Sequence, residues 1–114
     1  MNENAPTSPE ELQLYIRQLL HILGIPVHRV GFRLLCTAMV LYCRNDATSL
    51  TKELYPEVAA RFGYHDWHAV EHAIRLAILH GWQNQTTAIW HYYFPHCRKA
   101  PSNKQFIATL AEFL

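Results

Sequence analysis

The stretch SLTKELYPEVAARFGYHDWHAVEHAIRLAILHG, residues 49–81, decides the fold. Leu50, Leu54, Val58, Ala59 and Phe62 recur at helical spacing, and Gly63-Tyr64-His65-Asp66 follows as a tight turn. Asp66 is suited to cap a second helix, on which Val70, Ala73, Ile74, Ala77 and Ile78 repeat at three-to-four spacing. Gly81 is expected to stop that helix, about residues 66–80. Pro56 falls inside the first pattern, where it either kinks the helix or opens a second piece at a tolerated first-turn position. Two helices joined by a short glycine-containing turn, the second amphipathic, match a helix-turn-helix. In such a pair the first helix braces the second, whose solvent face fits a major groove roughly 12 Å wide.

Working outward, the flanks also read as helices. Ser8 is an N-cap with Pro9 at the first helical position and Glu11 completing a capping box. Leu12, Tyr15, Ile16, Leu19, Leu20 and Leu23 form one apolar stripe, which Gly24 ends before Pro26 opens a short connection. A second helix, from about Val30 to Arg44, buries Leu34, Leu35, Ala38, Met39, Leu41 and Tyr42, and Asn45-Asp46-Ala47-Thr48 reads as a loop. Beyond the polar segment 83–87, Ala88 to Phe94 form a short aromatic helix or turn. Ser102 and Gln105 make a second capping box for a last helix burying Phe106, Ile107, Leu110 and Phe113. No period-two alternation, internal repeat or linker interrupts this pattern. The expectation is an all-α fold, a bundle of about six helices containing a helix-turn-helix, as one domain over residues 1–114 with a flexible N-terminus at 1–7.

Composition bounds the function. Of 114 residues, 50% are hydrophobic and 17% charged, which suits a packed core and excludes disorder. Apolar runs are broken well short of the ~18 residues of a membrane span, and MNENAPTSPE has no signal-peptide regions. A cytoplasmic protein without membrane contact is expected. Ten Lys and Arg against nine Asp and Glu give a net charge of +1, far from strongly basic, while eight histidines can gain charge in mild acid. Three cysteines cannot all pair within one chain. Cys36 and Cys43, seven apart on one helix, have Cα atoms roughly 10.5 Å apart and cannot bridge. They read as reduced thiols filling small apolar positions.

Several phrases then point one way. His21-Ile22-Leu23-Gly24-Ile25-Pro26-Val27-His28, Gly31-Phe32 and Ser49-Leu50-Thr51-Lys52-Glu53-Leu54-Tyr55-Pro56 come first. Val70-Glu71-His72-Ala73-Ile74-Arg75, Gly81-Trp82 and Pro101-Ser102-Asn103-Lys104-Gln105-Phe106-Ile107-Ala108 follow in order. Over about residues 12–113 the chain resembles the C-terminal DNA-binding effector domain of the stage-zero sporulation protein A family. The resemblance implies a six-helix bundle and a transcription regulator binding duplex DNA through its fourth helix. By the same resemblance His68, Glu71, His72 and Arg75 fall on the recognition helix. Ser49, Thr51 and Lys52 match positions suited to holding phosphate, and Arg98 and Lys99 fall in a basic region. The chain departs from the family pattern at Ala69 and His72, where basic residues are usual, and its turn is one residue longer. Residues 64–82 carry Arg75 against Asp66 and Glu71, a net −1 with neutral histidines. Protonation of His65, His68 and His72 would offset that sign near phosphates. In the family a receiver domain precedes this one. From its opening at Met1 this chain is expected to lack that receiver, and a lone domain is expected near the non-specific range, roughly 10⁻⁴–10⁻⁶ M.

His68 and His72 have a metal-capable spacing, and His91, His96 and Cys97 cluster, but neither set matches a zinc motif; no metal or cofactor is expected. Trp82, Trp90, Tyr92, Tyr93 and Phe94 form either a base-stacking platform or, as favoured here, the closure of the core. Arg29, Arg33 and Arg44 read as a solvated basic face. No phosphate loop, nucleophile elbow or catalytic dyad is present, so neither an enzyme nor a small-molecule substrate is expected. The expected partner is duplex DNA. The alternative is a homodimer or protein partner, with Tyr64, Trp67 and the aromatic segment forming an interaction or dimerisation surface.

Overall fold

A computed structural model describes residues 8–45 and 49–114, apart from the side chain of Asn45. The flexible segment expected at 1–7 and the loop expected at Asp46-Ala47-Thr48 lie outside the described residues. The helices are α1 (Pro9–Ile22), α2 (Val30–Asn45), α3 (Tyr55–Phe62), α4 (Trp67–Gln83), α5 (Ile89–Tyr93) and α6 (Asn103–Ala111), with no strand among the described residues. The fold is all-α, and none of these helices is long and apolar enough to cross a membrane.

The N-caps follow the sequence. The Oγ of Ser8 accepts from Glu11 N at 3.1 Å, a carboxylate oxygen of Asp66 accepts from His68 N at 2.9 Å, and Ser102 Oγ accepts from Gln105 N at 3.1 Å. The second capping box is only half formed, because Gln105 Nε2 donates to Cys97 Sγ at 3.3 Å. Pro56 takes the second of its two expected roles. It lies in the first turn of α3, preceded by one π-helical turn at Leu50–Leu54. There Leu54 N and Tyr55 N donate five residues back, to the carbonyls of Ser49 and Leu50. Proline has no N–H to donate, and its ring crowds the carbonyl four residues before it. The wide turn relieves that crowding.

α2 runs through the middle of the bundle, packed on α1 and α4, with α6 closing over α2 and α4. Leu34, Leu35, Ala38 and Met39 of α2 are fully buried, as are Ile16 and Leu20 of α1, Val70 and Ile74 of α4, and Phe106, Ile107 and Leu110 of α6. Each such large apolar side chain contributes about 1.5–3 kcal/mol relative to exposure. Trp90 of α5 is also fully buried, and its Nε1 donates to the Leu23 carbonyl at 2.8 Å. Phe94 stacks on Phe106 at 5.6 Å, so Trp90 and Phe94 close the core as expected, with Trp82 and Tyr93 half-buried at its margin, whereas Tyr92 is 66% exposed and takes no part in it.

Three expectations need correction. α4 does not stop at Gly81 but continues to Gln83. Gly81 is buried inside the helix, where a Cβ would meet Ile25 Cγ1 at 2.8 Å and Trp90 Cζ2 at 2.9 Å. Its small size serves packing rather than termination. Phe113 is 49% exposed because α6 ends at Ala111 and the chain leaves the apolar stripe before reaching it. Tyr15 is 48% exposed, lying roughly a quarter turn from the middle of the buried α1 stripe. Leu50, Phe62 and Tyr42 are half-buried at the margin of the core.

Candidate nucleic-acid interface

The turn into α4 is built by two residues. Gly63 ends α3 with φ +78°, a left-handed geometry that favours glycine, and Asp66 opens α4. Asp66 is exposed, and the His68 N–H it accepts, followed by the His68 ring Nδ1 at 2.6 Å, holds its carboxyl below the ordinary value. The His68 ring also stacks on Trp67 at 3.9 Å, and Trp67 stacks on Tyr55 at 5.8 Å. The start of α4 is thus tied by rings to the end of the π turn. His68 is an exposed cap element and does not share the cleft described below.

Further along α4, the exposed guanidinium of Arg75 is held from two sides. Its Nη1 donates to Glu71 Oε1 at 3.3 Å and its Nη2 to His72 Nδ1 at 2.9 Å. In the open such contacts are worth about 0–1 kcal/mol, so their effect is orientation more than stability. They leave the net charge of residues 64–82 at −1 with neutral histidines, but each acid has a local partner, Asp66 in His68 and Glu71 in Arg75.

A cleft of about 710 Å³ runs beside Arg75. Ser49, Leu50 and Thr51 of the wide turn form one wall, Glu71 and Arg75 another, and Ser102, Asn103 and Lys104 at the start of α6 a third. Of the residues expected at a site, Ser49, Thr51, Glu71 and Arg75 are therefore brought together. Lys52, Arg98 and Lys99 are exposed cations outside its lining, and His72 joins only through Arg75. Ser49 Oγ caps the wide turn by accepting from Lys52 N at 3.4 Å. The first N–H groups of a helix have no acceptor within it and suit an anion.

Sequence reasoning missed Asn103, the one buried polar residue among those described, at 9% exposure. Its Nδ2 donates to Tyr55 Oη at 3.1 Å and to the Glu71 carbonyl at 3.0 Å, while its Oδ1 is buried without a partner. Two such bonds contribute about 1 kcal/mol each, and an orphaned buried acceptor costs about 1–3 kcal/mol, so the residue adds little net stability. Burial pushes the Tyr55 hydroxyl pKa up, against the lowering effect of the Asn103 bond. Its place after the Ser102 cap and within the Pro101–Ala108 phrase gave no role for Asn103, because its partners lie 32 and 48 residues away.

Among the described residues no three His, Cys, Asp or Glu side chains gather as a metal site. The family model described as "Sporulation initiation factor Spo0A C terminal" matches residues 16–114. That family comprises DNA-binding effector domains and not enzymes, and duplex DNA is its partner. With a helical bundle around a capped helix-turn-helix, and a match over nearly all its length, this chain belongs to the Spo0A C-terminal family.

Proposed function

We propose that this chain is a sequence-specific transcription regulator that seats α4 in the major groove of duplex DNA. The observation that carries the reading is Arg75, exposed on α4 and held by Glu71 and His72 beside a cleft shared with Ser49 and Thr51. Arginine suits bidentate contact with guanine, and a carboxylate can accept from the cytosine amino group, so Arg75 and Glu71 read bases. Ser49, Thr51, Lys52, Arg98 and Lys99 hold phosphates, and Lys104 joins them from the cleft wall. His68 sits at the cap of α4 and His72 orients Arg75 by accepting from its guanidinium. Selection from a random duplex pool at low salt, at about pH 6 and about pH 7.5, tests this reading. Enrichment of a sequence, with preference lost in Arg75→Ala, is the expected result. No enrichment at either pH overturns it.

One observation favours a second reading, a surface that binds another copy of the chain. Tyr92 is 66% exposed and meets the exposed Phe113 at 6.2 Å, with Tyr93 against both. Trp67 and Tyr64 do not extend it, being half-buried against the core. Sedimentation velocity over a range of concentrations is expected to show self-association that Tyr92→Ser weakens; a monomer throughout removes this reading.

A further inference from the structure

We infer that Asn103 is a positioning residue for DNA recognition, setting the recognition helix against the supporting turn and α6. The inference rests on the reading of α4 as the recognition helix. Asn103 opens α6, and its single amide nitrogen reaches two other elements. One bond goes to the Glu71 carbonyl, inside α4 and one turn before Arg75; the other goes to the hydroxyl of Tyr55, which stacks on Trp67 at the start of α4. The base-reading edge is therefore fixed at two points along its length, both referred to α6. A carbonyl has two acceptor sites, so Glu71 can take this bond beside its own helical one.

Stability does not explain the residue, because the two bonds and the buried orphan Oδ1 nearly cancel. An apolar side chain of similar size would avoid the orphan. What leucine cannot supply is direction: two donated bonds of 3.0 and 3.1 Å fix rotation and axial position, whereas apolar packing tolerates sliding. Base readout needs its side chains held within about 0.5 Å. Asn103 acts on the bases only through Glu71, Tyr55 and Arg75.

The test uses Asn103→Leu and Asn103→Asp, the second keeping the shape but losing both donations. Amide hydrogen exchange without DNA reads the position of α4, and the affinity ratio between a selected and a scrambled duplex reads its use. Both variants are expected to speed exchange over Trp67–Arg75 while α1 and α2 stay protected. Asn103→Leu is expected to lose about tenfold in preference with an unchanged salt slope, and Asn103→Asp to lose preference while its added charge also weakens binding to both duplexes. Unchanged exchange and preference overturn the inference, as does an equal loss for both duplexes. If the wild type selects no duplex, the DNA-binding reading falls and exchange alone decides the positioning role. Should both variants fail to fold, Tyr55→Phe removes one acceptor and is measured the same way; no change in exchange or preference then overturns it.

Discussion

Arg75 presents a planar, always charged fork, and Glu71 and His72 aim it. Lysine would keep the charge but lose the fork. Arg75→Lys is therefore expected to bind duplex DNA in general nearly as well while losing about tenfold or more in preference for a selected sequence, read by competition titration. Equal loss for every sequence would instead assign Arg75 to phosphate. The cysteines offer a second test at this scale. Burial raises the Cys36 thiol to about 12, with Arg17 opposing weakly, so almost no thiolate forms near neutrality. A thiol reagent is expected to label Cys97 in the folded protein and Cys36 only on unfolding; prompt labelling of Cys36 would contradict its burial. Much at this scale was legible in the sequence. Ser8, Asp66 and Ser102 are local signals, each bonded within three residues, and the apolar character of Cys36 follows from its helix stripe. Asn103 was not legible, because its role depends on partners that only folding brings near.

Elements meet where side chains are small, and two glycines set those distances. A Cβ on Gly31 in α2 would lie 2.5 Å from the Ala73 carbonyl oxygen of α4, and one on Gly81 would strike Ile25 and Trp90. In an exposed helix, glycine to alanine gains up to about 1 kcal/mol, whereas overpacking costs about 1–3 kcal/mol. Gly81→Ala is thus expected to lower Tm despite the better helix propensity; a raised Tm would show that Ile25 and Trp90 yield. The sequence made Gly81 a stop signal because periodicity sees one helix at a time. The wide turn at 50–54 escaped for a related reason: proline marks trouble, but the neighbours decide between a kink and a wider turn. The cap of α4 gives the pH test. Its lowered carboxyl pKa means Asp66 contributes stability in full above the unfolded value near 3.8, and loses it as pH falls through the lower folded value. Asn also caps helices but does not titrate, so Asp66→Asn is expected to flatten the acid limb of a Tm–pH profile. An unchanged acid limb would exclude the cap as a source of acid sensitivity.

For the whole molecule, the helix count, the core stripes and the helix-turn-helix were readable in advance because they repeat within single elements. The cleft was not, since its walls come from three distant parts of the chain. A net charge of +1 argued against a strong field on DNA. The fold changes the meaning of that number, because association depends on which charges face the duplex. Glu71 is engaged by Arg75 and Asp66 by His68, while Lys52, Arg98, Lys99 and Lys104 stay exposed. If those four cations hold phosphates, log K against log salt should fall with a slope of about −3 to −4 for one copy. Lys104→Ala should reduce the slope by about one while leaving sequence preference intact. Fluorescence anisotropy between low and moderate salt measures both. A slope near zero would mean that the overall charge, rather than its arrangement, governs the approach to DNA.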